Sequence, residues 1–278
     1  MKPGVLLSLI GIDGAGKTSI AKALASLLRD RGHSPEIVSW KGVMAQDGLL
    51  AGEVLASISM AAYKLQFAEA EPVDTGCNLR AKLGVDSTEQ FFRETEAELR
   101  DVSVRRNTPE ALLSAALVEL AGNCYLHHAH VVPIVRNGGV AIVESCGFKH
   151  VLKNALMAQR LAAPGSATHR EAGETIQRAS VYFGEMLKPC AGFWVDAEPR
   201  LALAWRERDS LSSTNFEDYG LTGTARDATA FVAMQSDCRV HFDWFARRWG
   251  WAQLQMTDQP KDRNLEAALS IIERSWPR

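Results

Sequence analysis

The residues Gly11-Ile12-Asp13-Gly14-Ala15-Gly16-Lys17-Thr18-Ser19 hold the strongest chemical signal in the chain. Small residues at the spacing G-x-x-x-x-G-K-[ST] let consecutive backbone N–H groups turn inward around a phosphate. A helix starting at the lysine adds the positive end of its dipole. Lys17 reaches the outer phosphates as a mobile point charge, and the Thr18 hydroxyl ligates Mg²⁺. The loop predicts a bound nucleoside triphosphate, held by Gly11, Gly14, Ala15, Gly16, Lys17, Thr18 and Ser19. Two carboxylates that end apolar runs, Glu144 and Asp196, are candidates to stand on the same rim. Glu144 so placed holds Mg²⁺ through water, or accepts a proton from an acceptor hydroxyl. Glu119 and Asn123 are spaced i, i+4 in an otherwise apolar segment, so they share a helix face.

The elements around these residues must bring them together. Val5 to Ile10 reads as a buried parallel strand running into the loop, and Ser19 to Leu28 as a helix closed by Gly32. Further strands are predicted at Glu36–Trp40, Val140–Val143, Phe193–Val195 and Trp251–Met256. Long helical patterns separate them, which predicts a parallel sheet with helices on both faces. Ligands in such sheets bind beyond the carboxyl ends of the strands. Thr108-Pro109-Glu110 opens a helix with a capping hydroxyl, a first-turn proline and early negative charge. That helix is expected to run from Ala111 to about His130 and, being apolar around much of its circumference, to be buried. Two stretches pattern weakly, about 68–107 and 160–175, and read either as insertions that cover a substrate or as solvated surface decoration. Within the first, Glu89 to Arg106 has the pattern of an amphipathic helix.

Composition sets bounds. A chain of 278 residues with 46% hydrophobic residues can bury a sizeable core, and a net charge of -2 argues against a strongly electrostatic nucleic-acid binder. Five cysteines, odd in number and without C-x-x-C spacing, suit a reduced compartment better than a disulfide framework or zinc site. No apolar segment approaches membrane-spanning length, so a cytoplasmic protein with no membrane partner is the expectation. His127, His128 and His130 are the most metal-like cluster, but only the first and last share a helix face, so cationic surface histidines explain them better. Cys146 follows Glu144 without a paired base. The aromatic group around Trp244 and Phe245 reads as helix-to-sheet packing.

The order of these pieces resembles the thymidylate kinase family of P-loop nucleoside monophosphate kinases. The opening "LLSLIGIDGAGKTSIAKALASLLRDRG" is very like that family's start. "KPCAGFWVDAEPRLALAWRER" looks like its fourth strand and the helix leading to an arginine-bearing lid. "DCRVHFDWFARRWGWAQLQMTDQPKDRNLEAALSIIE" is similar to its last helix, strand and helix, and "PEALLSAALVELAGNCYLHHAHVVPIVRNGGVAIVES" follows its central helix and third strand. The likeness covers about two-thirds of the chain and misses the two insertions. It implies a P-loop NTPase three-layer α/β/α fold with a five-stranded parallel sheet, as a single domain over 1–278 with a lid near 206–223. It implies MgATP at the loop, Asp13 against the acceptor, and lid arginines at Arg206 and Arg208 that neutralise charge on the transferred phosphoryl group. It also implies a homodimer through the central helices, which the apolar residues 111 to 121 permit.

The acceptor half departs from that family. Its phosphate-clasping arginine is Asn123 here, and its base-stacking phenylalanine is Glu119. The Asp-Arg that ends its third strand is Glu144-Ser145, and later signals become Lys149 and Lys153-Asn154. Near the second strand its Arg-Glu-Pro is replaced by Trp40-Lys41-Gly42. A hydrogen bond to a charged group contributes roughly 1.5–3 kcal/mol and base stacking roughly 1–3 kcal/mol. Losing two arginines and one ring then removes on the order of 4–9 kcal/mol, about a thousandfold or more in affinity. Lys41, Lys149 or Lys153 can replace the charge but not the bidentate geometry of arginine. The resulting expectation is an ATP- and Mg²⁺-dependent small-molecule kinase with Lys17, Asp13, Glu144, Arg206 and Arg208 in catalysis. Its acceptor site would be Asp13, Lys41, Glu119, Asn123, Ser145 and Lys149, taking a nucleoside, modified nucleotide or other polar metabolite. The alternatives are a genuine thymidylate kinase with lysines in place of the arginines, and an ATP-binding regulatory protein without turnover.

Overall fold

The computed structural model describes residues 4–46, 48–209, 214 and 216–275. Five parallel strands form its centre: β1 (Val5–Ile10), β2 (Pro35–Val38), β3 (Val140–Val143), β4 (Ala191–Asp196) and β5 (Ala252–Gln255). Their order across the sheet is β2-β3-β1-β4-β5. Leu7 of β1 sits beside Ile142 of β3 on one side and Ala191 of β4 on the other. Every residue from Leu6 to Ile10 is buried. Successive strand residues point to opposite faces, so helices must cover both faces of the sheet at its centre.

The helices that matter for the site are α1 (Lys17–Asp30), α2 (Leu50–Phe67), α3 (Glu96–Asp101), α4 (Pro109–Leu126) and α5 (Phe148–Leu161). They are followed by α6 (Ala167–Val181), α7 (Pro199–Arg208), α8 (Ala228–Trp249) and α9 (Lys261–Arg274). α1 leaves β1 through the glycine-rich loop. α4 packs against both α2 and α5. Phe148, Phe242 and Phe245 are fully buried, with the Phe148 and Phe245 rings stacked at 4.7 Å, and they join α5 to α8.

Several boundaries differ from the sequence expectation, each for a local reason. β2 ends at Val38 because the Ser39 side chain accepts a hydrogen bond from Gly42 N, capping a short helix Trp40–Met44. The last strand shortens to Ala252–Gln255. The helix opened by Thr108 runs past His130 to Arg136, through a wide π turn at His127–Val131. Pro133 lacks an N–H and crowds the preceding turn, and the widened turn directly before it absorbs that strain. This helix is not buried all round, since Leu117 is 40% exposed.

The two weakly patterned stretches are folded. Helical residues 88–101 are anchored by fully buried Phe91 and Leu99, and the helix stops at Asp101 rather than Arg106. Val104–Arg106 instead pairs antiparallel with Glu71–Pro72. The expected looser segment at 160–175 is mostly α6, capped by the Ser166 hydroxyl accepting from His169 N at 3.2 Å. Ala172 and Ile176 bury its inner face. Of the lid near 206–223, positions 210–213 and 215 lie outside the described residues.

Candidate active site

The loop between β1 and α1 takes a conformation that its glycines permit. Gly14 and Gly16 have φ of +78° and +91°, in the left-handed region where a Cβ is disfavoured. A Cβ at Gly14 would also stand 2.8 Å from the Ala202 carbonyl oxygen. Gly16 is the N-cap of α1 and has no side chain to cap it, so the first N–H groups of the helix receive no side-chain cap from it. Lys17 is buried and folds back, donating from Nζ to the Gly11 oxygen at 2.9 Å and the Ile12 oxygen at 2.6 Å. Burial, then the neighbouring Lys149 charge, holds its ammonium well below the ordinary lysine range.

Glu144 reaches the loop from the adjacent strand. It follows β3 directly, with its N–H on the Val38 oxygen at 3.0 Å. The Thr18 hydroxyl donates to its carboxylate. A hydroxyl and a carboxylate brought together at the head of a helix suit a hard, oxygen-seeking cation, so the pair fits Mg²⁺.

Asp13 is the hub of the opposite side. Its carboxylate accepts from Lys149, from Lys153 at 2.9 Å and from Gln235 Nε2 at 3.2 Å. The Asp13 N–H donates to Gln235 Oε1 at 2.9 Å. Burial opposes ionisation of this carboxyl, but the charges of Lys149, Lys153 and Lys17 outweigh it and hold the group well below the usual carboxylate range. Gln235 is fully buried and also donates to the Glu217 carbonyl at 2.7 Å, tying the loop to the segment after α7.

Beyond Asp13 opens a cleft of about 810 Å³, lined among others by Lys41, Glu119, Lys149 and Lys153. Glu119 is half-buried, and burial pushes its carboxyl up to about 7 against the opposing Lys153 charge. The outer wall comes from the 68–107 insertion. There Glu96 Oε1 accepts from the Tyr63 hydroxyl and from Arg100 Nε, both at 2.7 Å, and Lys41 Nζ lies 3.9 Å away. Gln66 Nε2 donates to Asn154 Oδ1 at 2.8 Å across another part of the wall.

No protein-family model matches the chain, and no curated protein matches it. The placement of each expected residue therefore rests on geometry alone. Gly11, Gly14, Ala15, Gly16, Lys17, Thr18 and Ser19 form the loop, and Asp13, Glu144, Lys41, Glu119 and Lys149 stand around it or the cleft.

Asn123 and Ser145 do not line this cleft. They line a separate cavity of only about 30 Å³ together with Ser8 and Cys146. Asn123 turns back because its amide donates to the Glu119 carbonyl at 2.8 Å and packs on Gly147, where a Cβ would come within 2.6 Å of it. The Ser145 hydroxyl is buried without a hydrogen-bond partner. Arg206 packs its chain on Gly14 and pairs with Glu217 at 2.7 Å. Arg208 is exposed in the last turn of α7; neither arginine lines the cleft, and they differ in that Arg206 packs on the loop. Asp196 is buried and engaged by Arg239 and Gln253 at 2.6 and 2.7 Å, a structural role away from the cleft.

The histidines engage separate partners, although the His127 and His128 rings meet edge to face at 5.6 Å. His128 bonds the Tyr182 hydroxyl at 3.0 Å and His130 bonds Glu36 at 2.6 Å. Among the described residues no group of three His, Cys, Asp or Glu side chains is placed to hold a metal ion. Burial pushes the Cys146 thiol up to about 12, which leaves it protonated and unreactive. Among the described residues no helix is long and apolar enough to cross a membrane.

Sequence reasoning missed Gln235, Glu217 and the Tyr63–Glu96–Arg100 cluster. Gln235 is 222 residues from Asp13 and uncharged, so no local pattern points to it. Lys149 and Lys153 did carry a signal, the i, i+4 spacing that puts both on one face of α5.

Proposed function

We propose that the chain is an ATP- and Mg²⁺-dependent phosphotransferase acting on a small polar molecule, with the P-loop kinase arrangement that the thymidylate kinase likeness implies. The observation that carries this reading is the Thr18–Glu144 contact. It joins the hydroxyl beside the loop lysine to a carboxylate from the neighbouring strand, as a MgATP site requires. The strand order, with the loop strand in the middle of a parallel sheet, supports it.

On this reading the N–H groups of Gly14 to Thr18 receive the β-phosphate, and Lys17 exchanges its two carbonyl partners for β- and γ-phosphate oxygens. Thr18 and Glu144 would hold Mg²⁺, which would supply positive charge against the phosphate oxygens. Lys149 and Lys153 stand beside Lys17 and oppose the charge on the transferring group from the acceptor side. Asp13 is held ionised by three ammonium groups, so it fixes the lysines rather than taking a proton. Glu119 is matched to proton exchange near neutrality and lies in the acceptor cleft. Arg206, carried against Gly14, is the lid arginine of the two that reaches the loop.

The test is ADP release from MgATP by the purified protein with thymidylate and then a panel of nucleosides and polar metabolites, Lys17→Ala serving as blank. Turnover with a member of the panel, abolished in Lys17→Ala, supports the reading. Turnover unchanged in Lys17→Ala sinks it, and nucleotide binding without turnover under any acceptor favours a regulatory protein.

A further inference from the structure

The acceptor cleft is rich in charged side chains, yet most are already spent on one another. Lys149 and Lys153 share Asp13, and Arg100 is paired with Glu96, with Lys41 3.9 Å from the same oxygen. Glu217 is bonded to Arg206 at 2.7 Å and Glu89 to Arg93 at 3.3 Å. The cleft is lined by four cations (Lys41, Arg100, Lys149, Lys153) and six carboxyl groups (Asp13, Glu53, Glu89, Glu96, Glu119, Glu217). Its histidine, His150, is held neutral, burial and the Lys149 charge having lowered it to about 3. Among the described residues two local excesses of positive charge remain: Lys17, Lys149 and Lys153 around Asp13, beside the loop where the triphosphate lies on the reading above, and Arg100 with Lys41 on Glu96, in a cleft whose lining carboxyl groups still outnumber its cations.

An anionic acceptor would therefore have to break an ion pair or lie against carboxylates, both unfavourable in a partly desolvated site. A neutral molecule with several hydroxyls avoids both penalties. Its O–H groups donate to carboxylates and its oxygens accept from the paired cations without displacing either. The remaining walls suit the same ligand. Trp40, Tyr63, Phe92 and Phe216 supply apolar ring faces, and the Gln66–Asn154 amide pair supplies further donors and acceptors. Tyr63 and Phe216 meet edge to face at 4.9 Å, which fixes that wall.

We propose that the acceptor is a neutral, polyhydroxylated ring compound, a sugar either free or as a nucleoside, phosphorylated on a hydroxyl. The inference rests on the phosphotransferase reading. In the step it describes, the acceptor oxygen forms a bond to the γ-phosphorus of ATP as the bond from that phosphorus to the β,γ-bridging oxygen breaks. ADP leaves with that electron pair, and the acceptor's hydroxyl proton passes to the Glu119 carboxylate, which lines the cleft. An aromatic base on the sugar adds ring stacking, whereas a free sugar relies on the polar walls.

The experiment uses matched pairs on the full chain in the presence of saturating MgADP: thymidine against thymidine 5′-phosphate, adenosine against its 5′-phosphate, and ribose against ribose 5-phosphate. Affinity is read by calorimetry, and ADP release from MgATP is measured separately with the same compounds. The expected result is that at least one neutral member binds about tenfold or more tightly than its phosphate ester. The nucleoside and free-sugar pairs distinguish the two sources. Glu119→Gln, which removes one carboxylate, should narrow that gap without changing MgADP affinity. Tighter binding of the phosphate esters overturns the inference, and so does failure of every neutral member to bind. Either result leaves the phosphotransferase reading standing if ADP release occurs. Absence of MgADP binding and of all turnover counts against that reading instead, while the calorimetric comparison in buffer alone still decides the preference for neutral ligands.

Discussion

Replacing Glu119 by glutamine removes one ionisation and little else. The Asn123 amide keeps its bond to the residue-119 carbonyl, and the new amide oxygen can keep the longer 3.4 Å contact to the side chain. In the native protein burial pushes this carboxyl up to about 7, from an ordinary value of 4.5. The folded state thus binds the proton more tightly than the unfolded chain. Stability from this group is complete below the unfolded value, falls as pH rises from 4.5 towards 7, and is constant above that. At about 1.4 kcal/mol per pKa unit the loss is about 3 kcal/mol at most, and the carboxyl's residual contact with water lowers it to about 1–3 kcal/mol. Glutamine carries no such loss. Urea unfolding should therefore show Glu119→Gln more stable than the native protein by about 1–3 kcal/mol at pH 8 and within about 0.5 kcal/mol at pH 4.5. His150, held neutral by burial and Lys149, weakens both proteins equally in acid and cancels in the comparison. A variant less stable than the native protein at pH 8, or displaced equally at both pH values, would refute the assignment of Glu119 as a buried, proton-holding carboxyl.

Three further substitutions probe the loop and its supports. Asp13→Asn leaves Lys149 and Lys153 buried without a counter-charge, and thermal or chemical unfolding should show a loss of about 3–5 kcal/mol. Adding Lys149→Met to that variant should recover part of the loss. Gly14→Ala combines a left-handed φ with a Cβ 2.8 Å from the Ala202 oxygen, so about 1–3 kcal/mol of stability should go, with weakened nucleotide binding in calorimetry. Gln235→Leu keeps the volume but removes three buried hydrogen bonds, to Asp13 N, Asp13 Oδ2 and the Glu217 oxygen. It should destabilise by about 1–3 kcal/mol and lower kcat more than the KM for ATP.

The glycine-rich loop was legible because its pattern is local. Glycines that need positive φ, a lysine and a threonine follow one another in a fixed spacing, and the flanking β1 and α1 are set by short-range hydrophobic patterns. Glu144 was legible for a related reason, since a carboxylate following the strand beside β1 is a candidate for the loop's rim, although the same rule fails for Asp196, which Arg239 and Gln253 engage. The cleft depends on which way a side chain turns, and that is decided by tertiary contact. Asn123 shares a helix with Glu119 but turns away because Gly147 leaves room for it. The 68–107 stretch patterns weakly because its apolar residues are sparse, yet Phe91 and Leu99 suffice to anchor it as a cleft wall. The ion pairs that set the cleft's charge join residues from distant parts of the chain, and composition sums over them without revealing who neutralises whom.

The most direct test of the central claim is calorimetric titration of MgADP into the native protein, Lys17→Ala and Glu144→Ala, each with Mg²⁺ and with chelator. A loop that holds phosphates through Lys17 and Mg²⁺ through Thr18 and Glu144 predicts three results. The native protein binds in the micromolar range, Lys17→Ala loses about a hundredfold or more, and Glu144→Ala loses only the Mg²⁺-dependent part of the affinity. Equal affinity in all three proteins, or no binding by the native one, would contradict it.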